Sequence, residues 1–421
     1  MSLPYKTPHS GEATLPHNEF IGQLRGIAVL MVVVLHYTHG FPISYSAIEA
    51  IGNGYYGVMF FFTISGFLIT GNLLKRYRTV ASTNLREFYV MRAARILPCL
   101  ALALVVLSSI SLLTKDIEGF VFLPGFDVAG AVAHVLTLTF NHYFAAGASG
   151  TMAWAVLWSI SIEETFYIAF PLVAMLLRRE ALLITALCIL VANGLLARHN
   201  GDLYAHFGCF DLMGMGALAA ISARRLPGRV PRRILRPLQL MGAAIAFGTY
   251  AFLNIMAHTI VGPSLAGLGC AMMLFSSQLL QGKPAKPTFL GHIGSISYEI
   301  YLFHMAIQSL LAHVLPLPSG AMAYVTFAVV MATTYFVSAG IANAFSKPLN
   351  RWIRDRFAKS RVLAVPARPR CQPNADDVVA ADGALCERMR GAAVPLAPVI
   401  ETPTQELAEG GWRRLGGFTE G

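Results

Sequence analysis

Charge is what this chain has least of. Of its 421 residues only 13% are Asp, Glu, Lys or Arg, against 55% hydrophobic. A soluble domain carries about 25% charged residues, so the shortfall excludes an ordinary soluble enzyme. Cysteine is also scarce, six in all, with no Cys-x-x-Cys pair and no metal-ligand spacing. A disulfide framework and a metal site are therefore not expected. Cys99, Cys188, Cys209 and Cys270 lie in or beside apolar runs and read as small core hydrophobes. There is no glycine-rich nucleotide loop, no zinc signature, no Ser-His-Asp order and no solenoid repeat. The formal charge of +10 sits in short segments between apolar runs. That pattern is a topology signal, and no nucleic-acid partner is expected.

What is present is a succession of apolar runs, each long enough for a bilayer core of about 30 Å. Mean hydropathy is +0.58. The runs predict an all-α membrane protein, a polytopic helix bundle of about ten transmembrane helices near 21–40, 56–75, 96–114, 156–177, 181–197, 206–222, 237–254, 259–280, 292–315 and 321–345. The segments Lys75 to Arg95, Arg224 to Arg236, Lys283 to Lys286 and Lys347 to Arg361 are rich in Lys and Arg and belong on the cytoplasmic side. Parity then holds only if a further apolar stretch, 128–144, does not cross, which makes it a re-entrant or outer-leaflet segment. Both termini fall inside. The first apolar run holds His36 and has no small-residue cleavage site after it, so it is expected to be a retained helix. Residues 1–16 read as a cytoplasmic N-terminal segment, 17–350 as the membrane domain, and 351–421 as a cytoplasmic tail, largely disordered.

Five constellations stand out within this frame. Arg25 and His36 lie eleven residues apart in the first run, about three helical turns, which puts them on one face roughly 16 Å apart. Ionisable residues within a membrane helix mark function by default; the alternative is an interhelical hydrogen bond and a snorkelling arginine. Gly57, Ser65 and Gly66 in the second run permit close helix approach. Arg92 and Arg95, at i and i+3, share a face just before a membrane entry and offer two guanidinium forks for phosphates, or for lipid headgroups. Glu163 and Glu164 begin an apolar helix, where carboxylates are costly unless they pair, work, or meet the helix N-terminus. Tyr298, Tyr301 and His304 share a helical face, as a packing stripe or as substrate contacts.

Taken in order, Arg25 and His36, the Phe-Phe-x-x-Ser-Gly-Phe-Leu-Ile run around Ser65, Arg92-x-x-Arg95, Trp158-Ser-x-Ser-x-Glu163-Glu164-x-Phe-Tyr and Ser297-Tyr-x-x-Tyr-Leu-x-His304 resemble the bacterial membrane acyltransferase 3 family over roughly residues 17–350. The resemblance implies O-acylation of a glycan, glycolipid or small hydroxylated acceptor, such as O-antigen, exopolysaccharide or a macrolide, at the inner membrane. It implies acetyl-CoA or another acyl-CoA as donor, with no metal. It assigns the catalytic histidine to His36, the central glutamate to Glu163, and cofactor-binding arginines to Arg25, Arg92 and Arg95. One departure is Ser346-Lys347-Pro348, where the family commonly shows Glu-x-Pro.

On this reading acyl-CoA docks on the cytoplasmic side and its pantetheine arm reaches toward His36. His36 takes the acceptor's proton, and Glu163 orients its ring. Ser65, Glu164, Tyr301 and His304 are further candidates for substrate contact or for holding the oxyanion. Direct transfer and a transient acyl-histidine both remain open. A polytopic transporter with a proton-relay His/Glu pair is the alternative from another class, and a structural or sensory membrane protein is a third.

Overall fold

The computed structural model describes residues 19–40, 53–77, 79–114, 126–148, 152–198, 204–255, 257–280, 286–315 and 322–364, and among them there is no strand. The helices are α1 (Glu19–Gly40), α2 (Tyr55–Arg76), α3 (Leu85–Leu113), α4 (Val128–Leu136), α5 (Leu157–Leu177), α6 (Glu180–Ala197), α7 (His206–Arg225), α8 (Arg232–Phe252), α9 (Val261–Leu279), α10 (Phe289–Ser295), α11 (Ser297–Val314), α12 (Met322–Ile341) and α13 (Lys347–Ala364). Among the described residues six stretches, at Glu19–Tyr37, Tyr55–Arg76, Leu85–Leu113, Ala153–Leu177, His206–Arg225 and Met322–Ala358, are long and apolar enough to cross a membrane. The expected count of about ten adds α6, α8, α9 and α11, which do not qualify on length and apolarity alone. Large apolar side chains point outward: Leu113, Leu176 and Phe252 are 79%, 81% and 87% exposed. Water would make that surface an aggregation hazard, whereas lipid solvates it. The chain is a multi-span membrane protein.

Local chemistry sets several helix ends. Asn84 caps α3, its side chain accepting from Glu87 N at 3.1 Å. The helix therefore begins eleven residues before the expected entry at 96, and Arg92 and Arg95 lie inside it rather than ahead of it. Asp127 caps α4 through Gly130 N at 2.9 Å. That helix stops where Leu138 takes a left-handed φ of 58° and turns the chain back into a single turn at Phe140–Tyr143. Nine residues rise only about 13 Å, so the 128–144 stretch is broken into pieces too short to span. The expected run 292–315 is divided at Ile296 (φ −110°, ψ 15°) into α10 and α11. Glu19 of α1 reaches across to the start of α10, accepting from Thr288 N at 2.9 Å and Thr288 Oγ1 at 2.6 Å.

α2 is central, packed on α1, α7 and α9. At its crossing with α7 two glycines are reciprocal: a Cβ at Gly66 would strike the Met213 carbonyl, and one at Gly216 the Thr63 carbonyl. The close approach expected of Gly66 is therefore met here, while neighbouring Ser65 turns to the polar interior described below.

The described residues up to Arg361 form one compact unit. α13 continues through 351–364, past the expected start of the tail. Residues 1–16 and the tail beyond 364 lie outside the described residues. Between α12 and α13 the chain makes one π-helical turn, Ala342–Ser346.

A buried ion pair went unnoticed in the sequence. Arg198, just past α6, grips Asp211 of α7 with both guanidinium nitrogens, at 3.0 and 2.8 Å. It also donates to the Gly208 carbonyl at 2.8 Å and to Ser264 Oγ of α9 at 2.5 Å. Both residues are fully buried, so the pair ties three helices together where water cannot compete.

Candidate active site

Three helices bring the arginines together. Arg25 of α1 donates to Ser297 Oγ at 2.9 Å, at the first residue of α11. Arg92 and Arg95 enter from α3. All three line one small cavity of about 70 Å³ with Ser65, Glu163 and Tyr301. Glu164, Ser159, Tyr167 and Tyr298 also face it. The Arg92 guanidinium lies over the Tyr167 ring, 3.4 Å from its centroid, and 3.6 Å from Glu163 Oε1. Glu163 in turn accepts hydrogen bonds from Ser65 and from Tyr167. Glu163 and Tyr167 are i and i+4 on α5, so one helical face delivers the carboxylate and the ring that together hold Arg92.

His36 sits elsewhere. Its Nδ1 is 2.9 Å from the Val32 carbonyl and 3.1 Å from Nε2 of His304 on α11, with ring centroids 5.0 Å apart. His304 is fully buried, and its Nδ1 meets the Ile300 and Tyr301 carbonyls at 3.1 and 2.9 Å. Carbonyls only accept, so Nδ1 of His304 carries the proton, and in the neutral ring Nε2 accepts. The same rule puts a proton on His36 Nδ1, shared between Val32 O and His304. The lone pair of His36 is left on Nε2.

This geometry corrects two expectations. Glu163 does not orient His36: its partners are Ser65, Tyr167 and Arg92, and the group against His36 is His304. The reason is the register of α5, which turns Glu163 toward α2 and α3 while α11 packs on α1. His304, accepting through Nε2, is not an oxyanion donor in this tautomer. It meets His36 Nδ1 through Nε2.

Neither histidine lines the small cavity. Tyr301 connects the two regions: its hydroxyl pairs with Ser159 Oγ at 2.7 Å inside the cavity, and its ring lies 5.9 Å from that of His304. A second, larger cavity of about 750 Å³ shares Arg25, Arg95, Leu68, Asn72 and Tyr298 with the first. It opens among the basic helix ends, so a wide, cation-lined mouth narrows toward Tyr301.

Sequence reasoning did not assign Tyr167, Ser159 or Ser297. All three fall within the quoted motifs, and Tyr167 has a further signal in its i+4 spacing from Glu163. No cluster of three or more metal-binding side chains occurs among the described residues.

Removing the acceptor at the centre of this network has a measurable cost. Glu163→Ala strands Ser65, Tyr167 and Arg92 together and lowers stability by about 1–3 kcal/mol. Glu163→Gln keeps an acceptor oxygen and loses less. Thermal unfolding of the purified variants in detergent checks the order; equal losses for Ala and Gln would refute the hydrogen-bonding account.

Comparison with known proteins agrees with this architecture. The chain is similar to a Staphylococcus aureus (strain COL) protein named "Putative O-acetyltransferase", 25% identical over 82% of this chain and 58% of that protein. It is similar to the peptidoglycan O-acetyltransferase OatA of Listeria monocytogenes, 27% identical over 70% of this chain and 50% of OatA. A Bacillus subtilis protein named "Putative peptidoglycan O-acetyltransferase YrhL" is 25% identical over 68% of this chain and 47% of its own length. The chain thus spans about half the length of these relatives. No solved structure matches it. The family described as acyltransferase domain matches residues 18–342, and the chain belongs to that family of membrane acyltransferases.

Proposed function

We propose that this protein moves an acyl group, acetyl in the first instance, from acyl-CoA to a hydroxyl of a glycan or glycolipid of the cell envelope. It works as a bundle of about ten spans in the inner membrane with both termini cytoplasmic. The relatives named for peptidoglycan O-acetylation make a peptidoglycan-type sugar one candidate acceptor, beside O-antigen and exopolysaccharide. The observation that carries the reading is the cation-lined opening that narrows to a polar cavity one tyrosine ring from the His304–His36 pair.

In this mechanism Arg25 and Arg95 bind donor phosphates where the two cavities meet, since both line both. Arg92 is already engaged by Glu163 and Tyr167 and serves as a wall of the passage, its charge offset by that carboxylate. His36 Nε2 takes the proton of the acceptor hydroxyl while the oxygen attacks the thioester carbonyl. The tetrahedral intermediate collapses with cleavage of the C–S bond, the imidazolium returns its proton to the departing thiolate, and ester and free CoA thiol result. The Tyr301 hydroxyl, in its relay with Ser159, is positioned to meet the developing oxyanion. The overall test is incorporation of label from radiolabelled acetyl-CoA into the glycan and glycolipid fractions of membranes that contain the protein. No incorporation by folded protein in any fraction overturns the donor or the acceptor class.

The His304 relay makes its own prediction. His304→Ala removes the acceptor for the His36 Nδ1 proton, worth about 1–2 kcal/mol, and lowers kcat about 5–30-fold with donor KM unchanged. His304→Gln, whose amide oxygen accepts the same proton, regains part of the rate. A rise in KM with kcat intact would contradict the positioning role.

A further inference from the structure

The larger cavity holds more charge than the mechanism uses. Its volume of about 750 Å³ falls in the range of about 300–1,000 Å³ usual for small-molecule sites. Six cationic side chains line it, Arg25, Lys75, Arg95, Arg224, Lys347 and Arg354, against one carboxylate, Glu299. Arg25 and Arg95 lie at its inner end, where it meets the small cavity. The other four form an outer set from separate elements: Lys75 in the last turn of α2, Arg224 in the last turn of α7, and Lys347 and Arg354 on α13.

Basic residues at helix ends are ordinary topology markers, and two observations set these apart. First, α13 carries an apolar face of Leu349, Ile353 and Phe357, and of its polar side chains Lys347, Asn350 and Arg354, spaced 3 and 4 apart, line the cavity while Arg351 and Arg356 do not. Second, among the described residues none of the four meets a carboxylate. Arg224 donates to the Leu74 carbonyl at 3.0 Å and Lys347 to Asn343 Oδ1 at 2.8 Å. Like charges gathered in a cleft with low-dielectric walls focus the field on whatever anion enters.

We propose that Lys75, Arg224, Lys347 and Arg354 bind the 3′-phosphate of the CoA donor, separately from the diphosphate held by Arg25 and Arg95. This rests on the acyl-CoA reading above. A phosphomonoester is the most highly charged group of that donor and lies at the end remote from the thiol. An outer ring of cations with an inner pair of arginines matches two phosphate centres along one extended molecule. Arg supplies forked donors and Lys a point charge, so the ring tolerates some movement of the nucleotide. A lipid phosphate offers the same chemistry, and the test separates the two.

The full-length protein in nanodiscs of zwitterionic lipid is titrated calorimetrically with CoA and with 3′-dephospho-CoA. Wild type is expected to favour CoA by at least about tenfold, as a charged hydrogen-bonding group is worth. Lys347→Ala/Arg354→Ala and Lys75→Ala/Arg224→Ala are each expected to weaken CoA about tenfold or more and to leave 3′-dephospho-CoA nearly unchanged, erasing the preference. Lys347→Arg/Arg354→Lys, which keeps both charges, is expected to restore most of it and so excludes misfolding as the cause. Equal losses for both ligands, or none for CoA, overturn the assignment while leaving the donor reading intact. If wild type binds neither ligand, both fall. If, in parallel nanodiscs that contain phosphatidylglycerol, the variants change only the retention of that lipid, the ring is a headgroup site and the proposal is overturned.

Discussion

His36→Ala lowers acyl transfer about 10²–10⁴-fold, the usual contribution of a positioned general base, and costs about 1–3 kcal/mol of stability, because it leaves Nε2 of buried His304 without its donor. His36 is half-buried, with Nδ1 bonds to its own helix and to His304. The chemical loss is specific. Without Nε2 the acceptor hydroxyl keeps its proton and attacks as a neutral alcohol, and the departing thiolate has no paired acid. Donor binding should survive, because the proposed phosphate ligands Arg25 and Arg95 lie about three turns away along α1 and on α3. Transfer from radiolabelled acetyl-CoA at matched protein level reads the rate, and CoA titration reads the binding. Transfer within tenfold of wild type would sink His36 as the base. A loss of CoA affinity equal to the loss of rate would mean that the histidine binds donor instead.

Asp211→Ala is expected to be the most destabilising single change in the bundle, costing about 3–5 kcal/mol, because it leaves the Arg198 guanidinium buried with no counter-charge. Arg198→Met mirrors it. The informative variant is the double, Arg198→Met/Asp211→Leu, which removes both charges and fills the space with apolar side chains. If the pair costs nearly as much to bury as it returns, the double is markedly more stable than either single. Thermal unfolding in detergent of the four proteins forms the cycle. Additive losses would show that the two charges are uncoupled, contrary to the bidentate geometry. Activity should follow folded protein, since neither residue lines either cavity.

Helices were legible because apolarity is a long-range average. Runs of about twenty apolar residues survive any detail of packing, and so α1, α2, α6, α7 and α9 fall close to their expected ranges. Boundaries failed where a polar side chain overrode the average. Asn84 capped α3 early and carried Arg92 and Arg95 into the helix; the turn at Ile296 cut one run in two. At the site, shared helical faces were readable, and contacts between helices were not. Glu163 and Tyr167 are i and i+4 neighbours, so their partnership lay within one period. Glu163 and His36 sit on different helices, and nothing in either segment records which way the face of α5 that carries Glu163 turns. Arg198 and Asp211 show the same limit. Thirteen positions apart across a loop, they look like one loop cation and one lone acid until the fold stacks α6, α7 and α9.

The π-helical turn at Ala342–Ser346 carries a consequence for how sequences of this kind can diverge in length. Each residue added to or removed from a helix rotates everything after it by about 100°, and a π turn is the helical record of one such insertion. Here it fixes the azimuth at which α13 leaves α12, and so which three of its many polar side chains look inward. Point changes on the outer faces of α13 are therefore cheap, whereas a one-residue deletion upstream swings Lys347, Asn350 and Arg354 a quarter turn away at once. Gaps should be far rarer in this five-residue window than substitutions.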